Sequence, residues 1–247
     1  MSEINIQFLG TGDAFGSGGR LQTCIYVDSG IARFLIDCGA SSLSAMRRWG
    51  VNPVSVDVIL LTHLHGDHFG GLPFLILDAQ LVSKRTQPLL VAGPAGTECR
   101  VREAQEVFFP GSSHIELGFP ISYLEWADAE PVNLGSLGVT PHQVVHASGA
   151  PAYGLRIECL GKVISYSGDT EWTEALLSVA QGADLFICEA YFFDKKIKFH
   201  LDYRTLTAHQ AALGCKRLIL THMNDDLLSR LDGVSIECAE DGKRVIL

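Results

Sequence analysis

The chain has 247 residues, 47% hydrophobic and 19% charged, and carries a formal net charge of −9. That length suits one large α/β unit or two ordinary ones, with enough apolar content for a sizeable core. The acidic balance argues against an extended nucleic-acid groove, which needs clustered Lys and Arg, but leaves room for a local basic pocket holding one phosphate. No apolar run approaches the ~18 residues of a membrane span. The opening MSEINIQFLG lacks the basic segment and apolar core of a signal peptide. Seven cysteines (Cys24, Cys38, Cys99, Cys159, Cys188, Cys215 and Cys238) stand singly, mostly among apolar neighbours and with no C-x-x-C pair. Buried, reduced thiols in a cytoplasmic protein is the reading this pattern favours.

Residues 3–9 alternate as a strand does and stop at Gly10-Thr11-Gly12. The glycine-rich loop 12–20 lacks the Lys-Ser/Thr of a phosphate loop, so it reads as a tight turn near a site mouth. Strands at 23–27 and 32–36 are joined by the hairpin signal Asp28-Ser29-Gly30. Asp37-Cys38-Gly39 breaks the second, and 41–50 reads as a short helix stopped by Gly50. A β-branched apolar run at 56–61 is a buried strand, and it leads into THLHGDHFGG. There His63, His65, Asp67 and His68 place four ligating side chains within six residues, on a loop with a helix starting near Gly70. Imidazole and carboxylate suit zinc or manganese rather than calcium or copper(I). On a loop, His63 and His65 can close on one metal while Asp67 and His68 turn toward a second.

Residues 72–83 have helical spacing, and Lys84-Arg85-Thr86 reads either as a solvated helix end or as a contact for an anionic substrate. A strand at 89–92, a turn at 93–96 and a helix at 97–108 follow. Segments 123–126, 132–134 and 139–145 form an antiparallel run that meets His146. Strands 153–158 and 162–165 turn about Leu160-Gly161 and end in Ser167-Gly168-Asp169-Thr170, where Asp169 or Thr170 can cap a helix over 171–180. Strand 184–188 delivers Glu189, and loop 190–202 holds His200. Helix 203–213 precedes strand 217–220, which ends in Thr221-His222; the tail reads as strands 231–237 and 243–246. His146, Asp169 and His222 each stand where a strand breaks into a loop, the place where sites collect their chemistry. With the central loop they supply two metals: His63, His65 and His146 for one, Asp67, His68 and His222 for the other, and Asp169 between them. His114 and His142 lack such a context and read as surface or satisfied positions, and His209 as an exposed helix residue.

The spacing H-x-H-x-D-H at 63–68 resembles the metallo-β-lactamase superfamily of dinuclear metallohydrolases, and His146, Asp169 and His222 match its later ligand motifs in order and context. FLGTG at 8–12, GLPFL after the central loop, GPAG at 93–96 and CEAYF around Glu189 are similar to the ribonuclease Z and small phosphodiesterase branch. The resemblance implies an α/β (α+β) fold, a four-layer αββα sandwich with helices outside two facing sheets and the metals at their edge. The order of strands and helices suggests one domain over 1–247, built from two similar halves. Two divalent ions are implied, zinc with manganese or iron as alternatives, together with a metal-bridging hydroxide as nucleophile. Asp67 could also accept a hydrogen bond from that nucleophile. The branch implies that Glu189 supports His200, which protonates the leaving group, and that the protein is a homodimer.

Departures narrow the expectation. His146 and Asp169 are 23 positions apart, room for a hairpin but not for the arm that binds the tRNA elbow. His200-Leu201-Asp202 stands where His-Ser-Thr is usual, and THMNDDLL lacks the usual Arg-Tyr. The expected activity is hydrolysis of a small or nucleotide-type phosphodiester. The alternatives are tRNA 3′ processing, hydrolysis of a lactone, aryl sulfate or thioester, a redox-active iron relative, and a non-catalytic metal-binding module.

Overall fold

The computed structural model describes residues 3–247. Its first sheet contains β1 (Asn5–Gly10), β2 (Cys24–Asp28), β3 (Arg33–Ile36), β4 (Val58–Leu60), β5 (Leu89–Gly93) and β6 (Ile121–Glu125). The second contains β7 (Val132–Leu134), β8 (Leu137–Val144), β9 (Ala152–Cys159), β10 (Lys162–Tyr166), β11 (Leu185–Glu189), β12 (Leu218–Thr221) and β13 (Glu237–Cys238). The last strand, β14 (Arg244–Ile246), returns to pair antiparallel with β1. The strand orders are β14-β1-β2-β3-β4-β5-β6 and β13-β12-β11-β10-β9-β8-β7. Each sheet has a parallel half and an antiparallel half: β3 to β6 run parallel, and so do β10 to β13.

Period-2 alternation decides which side chain enters which layer. Phe34 and Ile36 on β3 point between the sheets, where Leu60, Leu155, Ile157, Ile164, Leu185 and Ile187 meet them. Leu35, Ile59 and Val91 point outward and are covered by α1 (Ser42–Trp49), α3 (Leu72–Leu81) and α4 (Thr97–Phe108), through Met46, Leu72, Ile76 and Val101. On the second sheet Phe186, Cys188 and Leu220 point outward under α5 (Ala175–Ala180) and α6 (Tyr203–Leu213). Strands buried on both faces explain the continuous apolar runs FLI, VIL and LFIC. Each large side chain so buried contributes about 1.5–3 kcal/mol. The result is the αββα layering that the sequence resemblance implied. All seven cysteines are free, and Cys24, Cys38, Cys159 and Cys188 are buried.

Four local expectations are corrected. A one-turn helix, α2 (Gly66–Phe69), precedes α3, so Asp67 and His68 lie on a helical turn and not on open loop. The segment 171–174 is not helical; α5 begins at Ala175, and no side chain caps it. The Thr170 N–H is taken by Glu189 and the Glu171 N–H by the Val145 carbonyl at 3.2 Å, so this stretch is tied to its neighbours before a helix can start. Segment 231–237 is a 3₁₀ turn, Leu231–Gly233, followed by two strand residues, because Gly233 and Val234 bond back to Arg230 and Leu231. Arg85 is 5% exposed and is consumed by the carbonyls of Gln87, Val54 and Pro88, which removes it as an anion contact. A final helix, α7 (Asp225–Leu228), follows β12.

Candidate metal centre

Strand ends at one edge of the two sheets supply the cluster. β3 ends in Asp37, β4 leads to His63, β8 to His146, β10 to Asp169, β11 closes on Glu189 and β12 on His222. The two sheets are joined at this edge where the Tyr153 N–H donates to the Thr62 carbonyl at 3.0 Å. Gly168 sits in that junction with φ +60°, and a Cβ there would fall 2.8 Å from the Tyr153 carbonyl and 3.1 Å from the Thr62 Cβ. Only glycine fits such a position without displacing backbone. Asp37 and His222, both non-glycine, also hold left-handed φ values of 58°. Such residues cost of order 1–3 kcal/mol each and persist where their surroundings dictate them.

All the residues expected from sequence as metal ligands converge here. Donor atoms of His63, His65 and His146 lie within 4.8 Å of one another, and so do those of Asp67, His68, Asp169 and His222. Asp169 reaches both groups. Its Oδ2 is 3.2 Å from His222 Nε2, 3.8 Å from His63 Nε2 and 4.0 Å from His146 Nε2, while Oδ1 is 3.3 Å from His68 Nε2. Asp67 Oδ2 lies 3.4 Å from His68 Nε2 and 3.9 Å from His222 Nε2. His146 Nε2 and His65 Nδ1 approach to 3.0 Å.

The rings are oriented from outside. His68 Nδ1 donates to Asp37 Oδ2 at 2.7 Å. Thr62 donates its hydroxyl to the same carboxylate at 2.8 Å, leaving its oxygen to accept from His63 Nδ1 at 3.0 Å. His146 Nδ1 donates to the Phe199 carbonyl at 2.8 Å. Each of these contacts leaves an Nε2 lone pair facing inward, the arrangement that second-sphere partners give to ligating imidazoles. His63 Nε2, His68 Nε2 and Asp169 Oδ1 are buried without any hydrogen-bond partner. Buried polar atoms are otherwise almost always satisfied, so these orphaned donors fit a cation.

The charges agree. Burial holds His63 well below the ordinary imidazole value and, with neighbouring histidines, brings His146 down to about 4, so both are neutral and free to ligate. Burial opposes charge on His68 too, but Asp169, Asp67 and Asp37 outweigh it and raise it well above that value. Burial likewise works against ionised Asp67, yet His68 and His222 bring its carboxyl down to about 2. Burial is outweighed at His222 as well, where Asp169 raises the imidazole, so an arriving cation would displace protons that these rings hold against ionised Asp67 and Asp169.

Glu189 and His200 adjoin the cluster. Glu189 is fully buried; its Oε2 accepts from His200 Nδ1 at 3.1 Å, and Oε1 accepts from the Thr170 N–H. His200 Nδ1 is 4.0 Å from Asp169 Oδ2, and its ring stacks on Tyr191 with centroids 4.7 Å apart. A cavity of about 370 Å³ opens onto the centre, lined by His65, Asp67, Asp169, Tyr191, His200 and His222, with Phe15 at its rim 84% exposed. The glycine-rich loop read as a tight turn near a site mouth carries that phenylalanine. Asp13 folds the loop, accepting from the N–H groups of Phe15 at 3.1 Å and Ser17 at 2.9 Å. His114 is exposed, and His142 is half-buried. His209 is half-buried, not exposed as expected, because Trp172 stacks on it at 3.8 Å.

Sequence reasoning missed Asp37 and Thr62. Asp37 ends an apolar strand in FLIDCGA, the same local signal that marks Asp169 and His222. An Asp37→Asn change is expected to weaken metal affinity about 10–100-fold with the fold retained. A chelator-competition titration beside circular dichroism checks it, and unchanged affinity would remove Asp37 from this role.

The family described as Anti-Pycsar protein Apyc1 matches residues 4–235. The chain belongs to the Apyc1 family. A Mycobacterium tuberculosis relative, the uncharacterized protein Rv1339, is 34% identical to this Apyc1-family chain over 211 residues, covering 83% of the chain and 75% of the relative. Ribonuclease Z of Methanosarcina acetivorans is 28% identical over 273 residues, covering 90% and 88%. Among solved structures, a diphosphatase of the PhnP family superposes with TM-score 0.77 at 19% identity, covering 98% of this chain and 97% of that one. The Apyc1-family chain therefore has the metallo-β-lactamase fold and is related to ribonucleases Z. No helix among the described residues is long and apolar enough to cross a membrane.

Proposed function

We propose that the protein is a metal-dependent phosphodiesterase acting on a small or nucleotide-type phosphodiester. His63, His65 and His146 would hold one divalent cation, Asp67, His68 and His222 a second, and Asp169 would serve both. Zinc suits this donor set, with manganese or iron as alternatives. Bound there, the cations would supply Lewis-acid polarisation of a phosphoryl oxygen and a water of lowered pKa. The chain's own residues do the rest. Asp37 and Thr62 fix imidazole orientation, Asp67 accepts a hydrogen bond from attacking water, and His200 carries a proton toward the leaving oxygen with Glu189 behind it.

The observation that carries this reading is the His200–Glu189 pair placed against Asp169. A proton donor at the edge of a metal cluster serves the departure of an alkoxide, the difficult part of cleaving an unactivated diester. The small-substrate reading is supported by the interval from His146 to Asp169, which the β9–β10 hairpin largely fills. Phe15 at the rim offers a face on which a base can stack.

A screen of the metal-loaded protein against bis-p-nitrophenyl phosphate, cyclic nucleotides, a lactone, an aryl sulfate and a 3′-extended tRNA precursor tests the proposal. Turnover of the first two is expected. Turnover confined to the lactone or the sulfate, or to the tRNA, would replace the proposal with another hydrolase. An oxygen-dependent reaction of iron-bearing protein would place it in redox chemistry.

A further inference from the structure

Beside His200 lies a second cavity of about 390 Å³, open to solvent and lined by none of the candidate metal ligands. Among the described residues only His200 lines both cavities, so it stands where a chamber that opens on the metal ligands adjoins one that does not. Trp172, Lys196 and Lys198 line the second chamber, together with Glu171 and Asp202. Both carboxylates keep their charge and accept hydrogen bonds from neutral donors. Asp202 caps α6, accepting from the Thr205 N–H at 2.8 Å and the Thr205 hydroxyl at 2.6 Å. Glu171 Oε2 accepts from the Phe199 N–H at 2.9 Å.

The lysines are not engaged. Among the described residues Lys162, Lys216 and Lys243 form ion pairs, whereas Lys84, Lys195, Lys196 and Lys198 form none, although the protein carries net charge −9. Lys196 and Lys198 flank Ile197, which bridges antiparallel to His200 across a tight turn with Phe199 at φ 71°. The Phe199 carbonyl is held by His146, so the turn that carries Lys198 is fixed to the cluster itself. Two unpaired ammonium groups thus stand on the segment that presents the proton donor.

We infer that this chamber is a leaving-group subsite for a substrate whose departing arm bears its own phosphate, such as a linear dinucleotide with a terminal phosphate. The inference rests on the phosphodiesterase reading and extends it. A phosphate there meets Lys196 and Lys198, while Trp172, backed by His209, gives the attached base or sugar a flat wall. A cyclic mononucleotide keeps its leaving oxygen tethered and has no second phosphate to place there.

The test compares adenylyl-adenosine with the same dinucleotide phosphorylated at its 5′ end or at its 3′ end, using metal-loaded enzyme. One of the phosphorylated forms is expected to show a kcat/KM about tenfold higher than the unmodified one, the upper end of what two exposed charge pairs supply. The preference should shrink as salt is raised. In the double variant Lys196→Ala/Lys198→Ala the ratio should fall to near one, and taking a ratio cancels any general loss of active protein. Calorimetric titration of wild type and the double variant with adenosine 3′,5′-bisphosphate gives a readout that needs no turnover, with about tenfold weaker binding expected in the variant. Neither form being preferred, a preference surviving in the variant, or equal bisphosphate affinities would each overturn the subsite. Failure of wild type to cleave bis-p-nitrophenyl phosphate would instead strike the phosphodiesterase reading, and the calorimetry would still decide whether the chamber binds phosphate.

Discussion

Asp169→Asn is expected to empty both cation positions and abolish turnover while the sheets stay folded. The residue is 2% exposed, and its two oxygens reach nitrogens in both donor groups, from 3.2 Å at His222 to 4.0 Å at His146. Asparagine reproduces the shape and removes the charge. What remains is five imidazoles and the single carboxylate of Asp67, which touches only the His68–His222 side. Burial works against an ionised Asp169, yet His222 and His68 hold it well below the usual carboxylate range, so the wild-type centre presents an anion at every neutral pH. An amide cannot replace that anion between two cations. Elemental analysis should show about two metal ions per wild-type chain and well under one in the variant. Activity on an activated diester should drop by about 10³-fold or more, corresponding to the several kcal/mol that metal assistance provides. A variant with full metal content and normal turnover would mean that the two donor groups are independent, and the dinuclear proposal would fall.

How far the sequence led depended on whether a residue's signal was local. The layers were legible because Phe34, Leu35 and Ile36 alternate on a strand buried on both faces, and because Gly50 and Gly66–Gly71 punctuate the chain where helices stop or start. The cluster was legible because each member ends a strand in a short polar phrase. Features set by tertiary contact were not. The helix at 171–174 failed because the backbone donors of Thr170 and Glu171 are spent on Glu189 and Val145, the first 19 positions away and the second beyond the β9–β10 hairpin. Arg85 looked like a surface cation until three carbonyls from two segments surrounded it. The chamber beside His200 was invisible for the same reason. Lys196 and Lys198 are ordinary loop lysines in the sequence, and only the folded chain places them around one cavity with Trp172 and His200.

His200→Ala should keep its metals yet lose about 10²–10⁴-fold in kcat on diesters with poor leaving groups, while p-nitrophenyl esters lose far less. The argument is one of proton demand. A departing alkoxide needs a proton in the transition state, and a nitrophenolate hardly does. His200 is suited to supply it: burial disfavours its charge, but Glu189 at 3.1 Å and Asp169 at 4.0 Å outweigh burial and raise the imidazole to about 9. The donor form is therefore present below that pH and lost as pH rises through it. Cations held by Asp169 would neutralise that carboxylate's share, which leaves Glu189 as the contribution a substitution can isolate. In Glu189→Gln the amide no longer favours imidazolium, so the alkaline limb of the kcat profile should move down toward the ordinary imidazole value of about 6.5. The shift should be visible with an unactivated diester and absent with a nitrophenyl one. A purely structural Glu189 would lower both rates equally and leave the limb in place, and equal losses on both esters in His200→Ala would remove the proton donor from the mechanism.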